Sequence, residues 1–460
     1  MKPLRWMMLL VVGPALTALA RDIYVDPDHG QDTFNGLAQT VAASPAGPVK
    51  TIARGIALAK AGDTVHLANL NRPYHESILL NKRSGAPGKP LIIDGHGATL
   101  TGVEPLDPKA WVDLGDGLYR SDSLFATVRG DDAVLLRMFF IFKGQIQYMD
   151  RVSKGARAPF KKPGELAPGQ WTYQAEGKAF YLRLAPGQAL AEAGIEIPHR
   201  SNGVGISGST NEHLIIRNLT CTRFINDGFN LHNSSRDVRF ENIKAIDNGD
   251  DGLSAHETCE FEVDGFEARG NATGVCNIGR SRCKLNHLRL EGNRGYEFFA
   301  LEETTFELRN SLILPTTAAH PVTIMGQAKS NQTTRVTMDN VQVIYRGDKP
   351  RQFEVLRNSI LQATRLTTQG LTWNVTGEVT LDHSLLCGGN AVRLTCGTTA
   401  VWHGDNNLYD LGGFTYNGHT FPPADFANFQ RATGHDVHSR CQTLAPHELP
   451  GGSAPKISDK

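Results

Sequence analysis

From Asn211 onward the chain repeats a short motif in which apolar and polar positions alternate. One unit reads Leu214-Ile215-Ile216-Arg217-Asn218-Leu219, followed by Asn226-Asp227-Gly228-Phe229-Asn230-Leu231-His232. The next reads Val238-Arg239-Phe240-Glu241-Asn242-Ile243, followed by Asp250-Asp251-Gly252-Leu253-Ser254-Ala255-His256, each residue 24 positions beyond its counterpart. Later units pair Phe261-Glu262-Val263 with Thr273-Gly274-Val275, and Cys283-Lys284-Leu285 with Arg294-Gly295-Tyr296-Glu297-Phe298. A fifth carries Phe306-Glu307-Leu308 and Val322-Thr323-Ile324-Met325. Alternation with a period of two marks strands, and no helical periodicity lies between them. Such a unit cannot bury its apolar face alone, whereas stacked units form one continuous core. The pattern predicts an all-β fold, a right-handed parallel β-helix. A leucine-rich repeat has a similar period, but its leucine-asparagine framework is absent.

Upstream the rhythm differs. Residues 21–103 read as an N-terminal cap and the first coils, with Ile52, Ile56 and Ala59 on one face of a short helix that Gly62-Asp63 ends. Residues 104–197 read as an inserted β excursion, rich in Trp111, Tyr119, Trp171, Tyr173 and Tyr181. Its aromatics line a sugar cleft or, more commonly, fill the excursion's own core. The main solenoid then runs over 198–448, and 449–460, rich in Gly, Ser, Pro and Lys, reads as a disordered tail. At the other end, a basic start, an apolar run from Trp6 to Leu19 and Ala18-Leu19-Ala20 describe a signal peptide cleaved after Ala20. That run falls short of the ~20 apolar residues that span a bilayer. A secreted or periplasmic mature chain without a membrane span is expected.

Composition narrows the partners. Forty-seven basic residues balance 47 acidic ones, without the basic footprint of a nucleic-acid binder. The seven cysteines are an odd number for an exported chain. Cys259 and Cys283 occupy matching places in adjacent units, as a disulfide or as stacked core residues, and Cys387 and Cys396 could close a local loop. No C-x-x-C pair is present to suggest structural zinc.

Stacked coils place equivalent residues ~4.8 Å apart. Asp227 therefore falls beside Asp251, with Asp250 one position away, and His232 falls beside His256. Phe229, Leu231, Leu253 and Ala255 should point inward, leaving Asn230, His232, Ser254 and His256 on one outer face. Three carboxylates with no adjacent Lys or Arg repel one another. Either one acid keeps a proton, as a general acid must, or a cation binds among them. Asp-Gly is also a common turn signal, so each such pair taken singly carries little weight.

At these residues two families come to mind. Asn226-Asp227-Gly228-Phe229 followed by Asp250-Asp251-Gly252-Leu253 resembles the N-T-D-G-F and D-D elements of the polygalacturonase family of inverting glycoside hydrolases. The resemblance implies a proton donor at Asp250 and water activation by Asp227 and Asp251. Thr273 stands where that family's G-H-G histidine belongs, and its R-x-K element has no counterpart. The same residues resemble the family-nine pectate lyases, which implies calcium held by Asp227, Asp250 and Asp251, with Ser254 replacing a fourth aspartate. That family's N-G-F-K lysine corresponds to Glu297, and Arg280, Arg282 or Arg294 could substitute as the base.

The candidate set is thus Asp227, Asp250, Asp251, His256 and Glu297 for catalysis, with His232, Asn230, Arg280 and Arg294 contacting substrate; Glu302 and Glu303 are secondary. The expected partner is a polysaccharide. Hydrolysis without a cofactor, calcium-dependent lysis of a uronate polymer, and a non-catalytic carbohydrate-binding solenoid all stay open.

Overall fold

The computed structural model describes residues 19–124, 132–155, 157–327, 332–445 and 447–450. Residues 1–18 of the expected signal peptide and residues 451–460 of the expected tail lie outside them. The architecture is all-β, predominantly parallel and solenoid-like. One sheet of sixteen strands and one of twelve each add a strand per coil, so the chain visits them alternately. In the second sheet Val204, Phe229, Leu253, Val275 and Phe298 pair in sequence. Phe229, Leu231, Leu253 and Ala255 are fully buried in a core that runs from Ile23 to Phe429. Long strands of the first sheet bend at a column of left-handed residues, Asn218, Asn242, Gly265, His287 and Asn310. Asparagine and glycine tolerate that conformation best, which explains their recurrence at the bend.

The repeat length drifts. Leu214 pairs with Val238, 24 residues on, but Val238 pairs with Phe261 and Phe261 with Cys283, steps of 23 and 22. Cys283 therefore faces Phe261, and the expected match with Cys259 fails. All seven cysteines are free thiols, six of them buried. Cys387 and Cys396 lie on strands of different sheets.

The helix Ile52–Leu58 buries Ile52 and Ile56, and the Thr51 side chain accepts from the Arg54 N–H at its start. Between Val103 and Pro198 the chain builds two four-stranded antiparallel sheets. In the hairpin Gln170–Gln174/Ala179–Arg183, Trp171 pairs with Leu182 and Tyr173 with Phe180. Trp171, Tyr173 and Phe180 are buried with Trp111 and Phe140 in a separate core. These aromatics are structural. The excursion docks on the coils through Tyr148, whose ring lies 3.4 Å beneath the Arg294 guanidinium. Among the described residues no helix is long and apolar enough to cross a membrane.

Candidate active site

The turn that precedes each strand of the twelve-stranded sheet is organised by a buried asparagine ladder. The Phe224 N–H donates to Asn248 Oδ1, the Asn248 backbone and side-chain amides donate to Asn271 Oδ1, and those of Asn271 donate to Asn293 Oδ1. Asn293 ends the ladder by donating to both oxygens of Glu297, at 3.0 and 2.5 Å. Glycine faces the ladder in the earlier coils because nothing larger fits. A Cβ on Gly252 would sit 2.6 Å from the Gly274 carbonyl oxygen and 3.2 Å from Asn271 Nδ2. Part of the Asp-Gly signal is therefore structural. Glu297, between Tyr296 and Phe298 where Thr273 and Val275 flank Gly274, takes the glycine's place and turns its carboxyl into the arch. Burial pushes that carboxyl up to about 8, against the Asn293 donors that favour its ionised form. It belongs to the ladder, and the structure does not bring it to the aspartates.

The aspartates do converge. Asp227, Asp250 and Asp251 each offer an oxygen within 4.8 Å of the others. They are 2–3% exposed, so the expected open cluster is in fact covered. Asp227 Oδ1 accepts from the Asp251 N–H at 2.9 Å, and Oδ2 accepts from Asn226 and Asn230 side chains. Asn230 thus orients an acid rather than facing solvent; it and Ser254 are buried.

The cover also corrects the expectation that no cation is near. Lys154, on the excursion, donates to Asp250 Oδ1 at 2.7 Å and to both oxygens of Asp251 at 2.7 and 2.8 Å. Ser153 Oγ donates to Asp250 Oδ1, and Arg137 Nε to Asp250 Oδ2 at 2.8 Å. Nearly a hundred residues separate Lys154 from its partners, and no local motif marks Ser153-Lys154 or Arg137 as ligands of the cluster.

The two cations divide the acids. Burial alone would raise Asp250, but Lys154 and Arg137 outweigh it and hold its carboxyl below the ordinary carboxylate range. Burial and the charge of Asp250 push Asp251 well up despite Lys154. Asp227 is raised for the same two reasons. Burial also disfavours the Lys154 ammonium, yet Asp251 and its neighbours hold it charged. The two cations thus favour the ionised form of Asp250, while burial and its charge favour the protonated forms of Asp251 and Asp227.

As packed, the same geometry does not fit calcium. Three carboxylates are a suitable donor set, but the Lys154 ammonium stands between two of them, and Asp227 is already committed to N–H donors. Calcium would enter only if Lys154 withdrew.

The other candidates divide as follows. His232 and His256 stack at 4.1 Å, and His256 Nε2 lies 2.9 Å from Ser254 Oγ. Burial and the neighbouring His232 push His256 down to about 4. Arg294 is held by the carbonyls of Gly270, Arg151, Asn248 and Gly249 and serves as a strut rather than a substrate contact. Arg280 and Arg282 are exposed at a turn and a strand edge, and Glu302 accepts from the Gly279 N–H and Gln327.

No protein-family model matches the chain, and no curated protein matches it. Solved structures resemble it at low identity. One, described as XylC in complex with xylose, shares 10% identity over 87% of this chain and 73% of that one, with a TM-score of 0.44. A second, described as a glycoside hydrolase, shares 11% identity over 85% and 96%, with a TM-score of 0.46. A GH136 lacto-N-biosidase from Eubacterium ramulus shares 10% identity over 92% and 68%, with a TM-score of 0.45.

Proposed function

We propose that this chain is an exported, right-handed parallel β-helix that hydrolyses glycosidic bonds in a polysaccharide, with Asp227, Asp250 and Asp251 as its reactive centre. One observation carries the reading: three carboxyls converge within 4.8 Å with Lys154 and Arg137 on Asp250, which lower that carboxyl while burial and its charge raise Asp251, the division that acid–base cleavage requires. In this reading Asp251 donates the proton to the leaving oxygen and Asp250 acts as the carboxylate, the reverse of the roles implied by the polygalacturonase resemblance. The oxygens lie closer than the ~6.5–9.5 Å that leaves room for an inverting water, which favours the close-spaced, retaining arrangement. Lys154 and Arg137 side chains are 26% and 33% exposed and form the entry to the cluster. Cleavage requires the Ser153-Lys154 segment to part from the acids, and Arg137, which donates to Asp250 Oδ2, is the cation that then keeps Asp250 the ionised member.

Lysis fits less well. Its base must take a proton, and the lysine at this site is held charged. The burial of the three acids favours one other reading, in which the cluster clamps the excursion and the solenoid only binds carbohydrate. Incubation with neutral and uronate-containing polysaccharides separates these readings. New reducing ends without unsaturated-uronate absorbance support hydrolysis, unsaturated products support lysis, and binding without either product supports the clamp.

A further inference from the structure

The outer face of the twelve-stranded sheet continues beyond the acids in two rows. Asp251 pairs with Thr273 and Thr273 with Tyr296. Beside that row, Ser254, Cys276, Phe299, Thr323 and Glu354 pair in turn. Tyr296 and Phe299 are the half-buried aromatics of this face, and their rings stack at 4.1 Å with 6° between planes. Apolar side chains that stay partly in water on an otherwise polar row are not explained by the core, to which neither belongs. Beyond them Thr323 Oγ1 donates to Glu354 Oε2 at 2.9 Å, and His320 Nδ1 lies 3.1 Å from Glu354 Oε1. Between the acids and the aromatics Thr273 Oγ1 is fully buried and has no hydrogen-bond partner among the described residues.

We infer that Tyr296 and Phe299, two coils from the aspartates, and Glu354, two coils further along the same face, form a subsite for a neutral pyranose. This rests on the hydrolase reading for its place in a substrate path, though not for its binding chemistry. Two coil steps set the aromatic pair ~10 Å from Asp251, a span one short oligosaccharide bridges. Aromatic rings pack against the C–H faces of a sugar, while a carboxylate and a histidine bond its hydroxyls. A uronate is disfavoured, because its carboxylate would face Glu354. The nearby cations are already engaged, Lys154 and Arg137 with the aspartates and Arg294 with backbone carbonyls.

Calorimetric titration of the full chain carrying Asp251→Asn, to prevent turnover, tests the subsite with cellohexaose, xylohexaose, mannohexaose and hexagalacturonate. At least one neutral hexasaccharide should bind more tightly than hexagalacturonate. Phe299→Met, which keeps apolar volume but removes the ring, should weaken that binding roughly three- to tenfold. Tyr296→Leu should do the same, should either variant fold poorly. Binding to none of the neutral probes, tighter binding of hexagalacturonate, or an unchanged Kd in a folded ring variant overturns the inference. Cleavage by wild type with an unchanged Kd in Phe299→Met sinks the subsite alone. The expected binding pattern without any cleavage by wild type sinks the hydrolase reading alone.

Discussion

Replacing Lys154 by methionine isolates the interaction on which the site's electrostatics depend. The side chain makes three contacts of 2.7–2.8 Å to two nearly buried carboxyls and is itself 26% exposed. Methionine keeps the stem and removes the charge. Breaking a buried ion pair on one side costs about 3–5 kcal/mol, because the surviving charge is stranded; solvent at the Lys154 head favours the lower end. The cost must also depend on pH. Without Lys154 the native acids hold protons more tightly than in the unfolded chain, so the variant loses stability as pH rises above the ordinary aspartate value and loses least near pH 4. Urea denaturation of wild type and variant near pH 4 and near pH 7.5 measures both effects. Adding Asp251→Asn should recover about half of the loss at the higher pH, since one acid then no longer needs neutralising. A loss below ~1 kcal/mol at pH 7.5, the level of an exposed pair, or an equal loss at both pH values, would refute the reasoning.

Other consequences follow from the same coordinates. Near pH 7 the Glu297 carboxyl is mostly neutral, so Glu297→Gln replaces it with a neutral isostere and should cost less than ~1 kcal/mol there in denaturant melts. Because burial raises Glu297 to about 8, wild-type stability should fall as pH climbs from the unfolded glutamate value through about 8, and that slope should flatten in Glu297→Gln. His256, pushed down to about 4, should contribute stability that is lost as pH falls from about 6.5 towards 4, and His256→Gln should remove that dependence in thermal melts. Gly252→Ala places a methyl 2.6 Å from the Gly274 carbonyl oxygen and should cost at least ~1–3 kcal/mol by the same measurement.

The parallel stack was legible because each coil repeats its own inward pattern: Phe229, Leu231, Leu253 and Ala255 could be assigned to the core from alternation alone. The drift in repeat length was not, since steps of 24, 23 and 22 differ by residues lost in turns, and this misplaced Cys283. The convergence of Asp227, Asp250 and Asp251 followed from register. Their cover did not, because Lys154 and Arg137 reach the cluster from a different sheet system whose docking no local pattern encodes. Glu297 misled for a related reason: its alignment with a lysine of a resembling family is a match of position along the chain, whereas its side chain caps the last asparagine of the ladder that packs beside glycine in the earlier coils. Arg294, expected to contact substrate or to serve as a base, is held by backbone carbonyls and lies over Tyr148 of the excursion, a contact that no local pattern encodes.

The most direct test of the reactive centre is the rate of reducing-end release from polysaccharide by wild type, Asp250→Asn and Asp251→Asn, with carbohydrate binding measured in parallel. Acid–base cleavage predicts release by wild type and a loss of about a hundredfold or more in both variants, with binding retained. Full activity in either folded variant, or a wild type that binds carbohydrate and releases nothing, would contradict it.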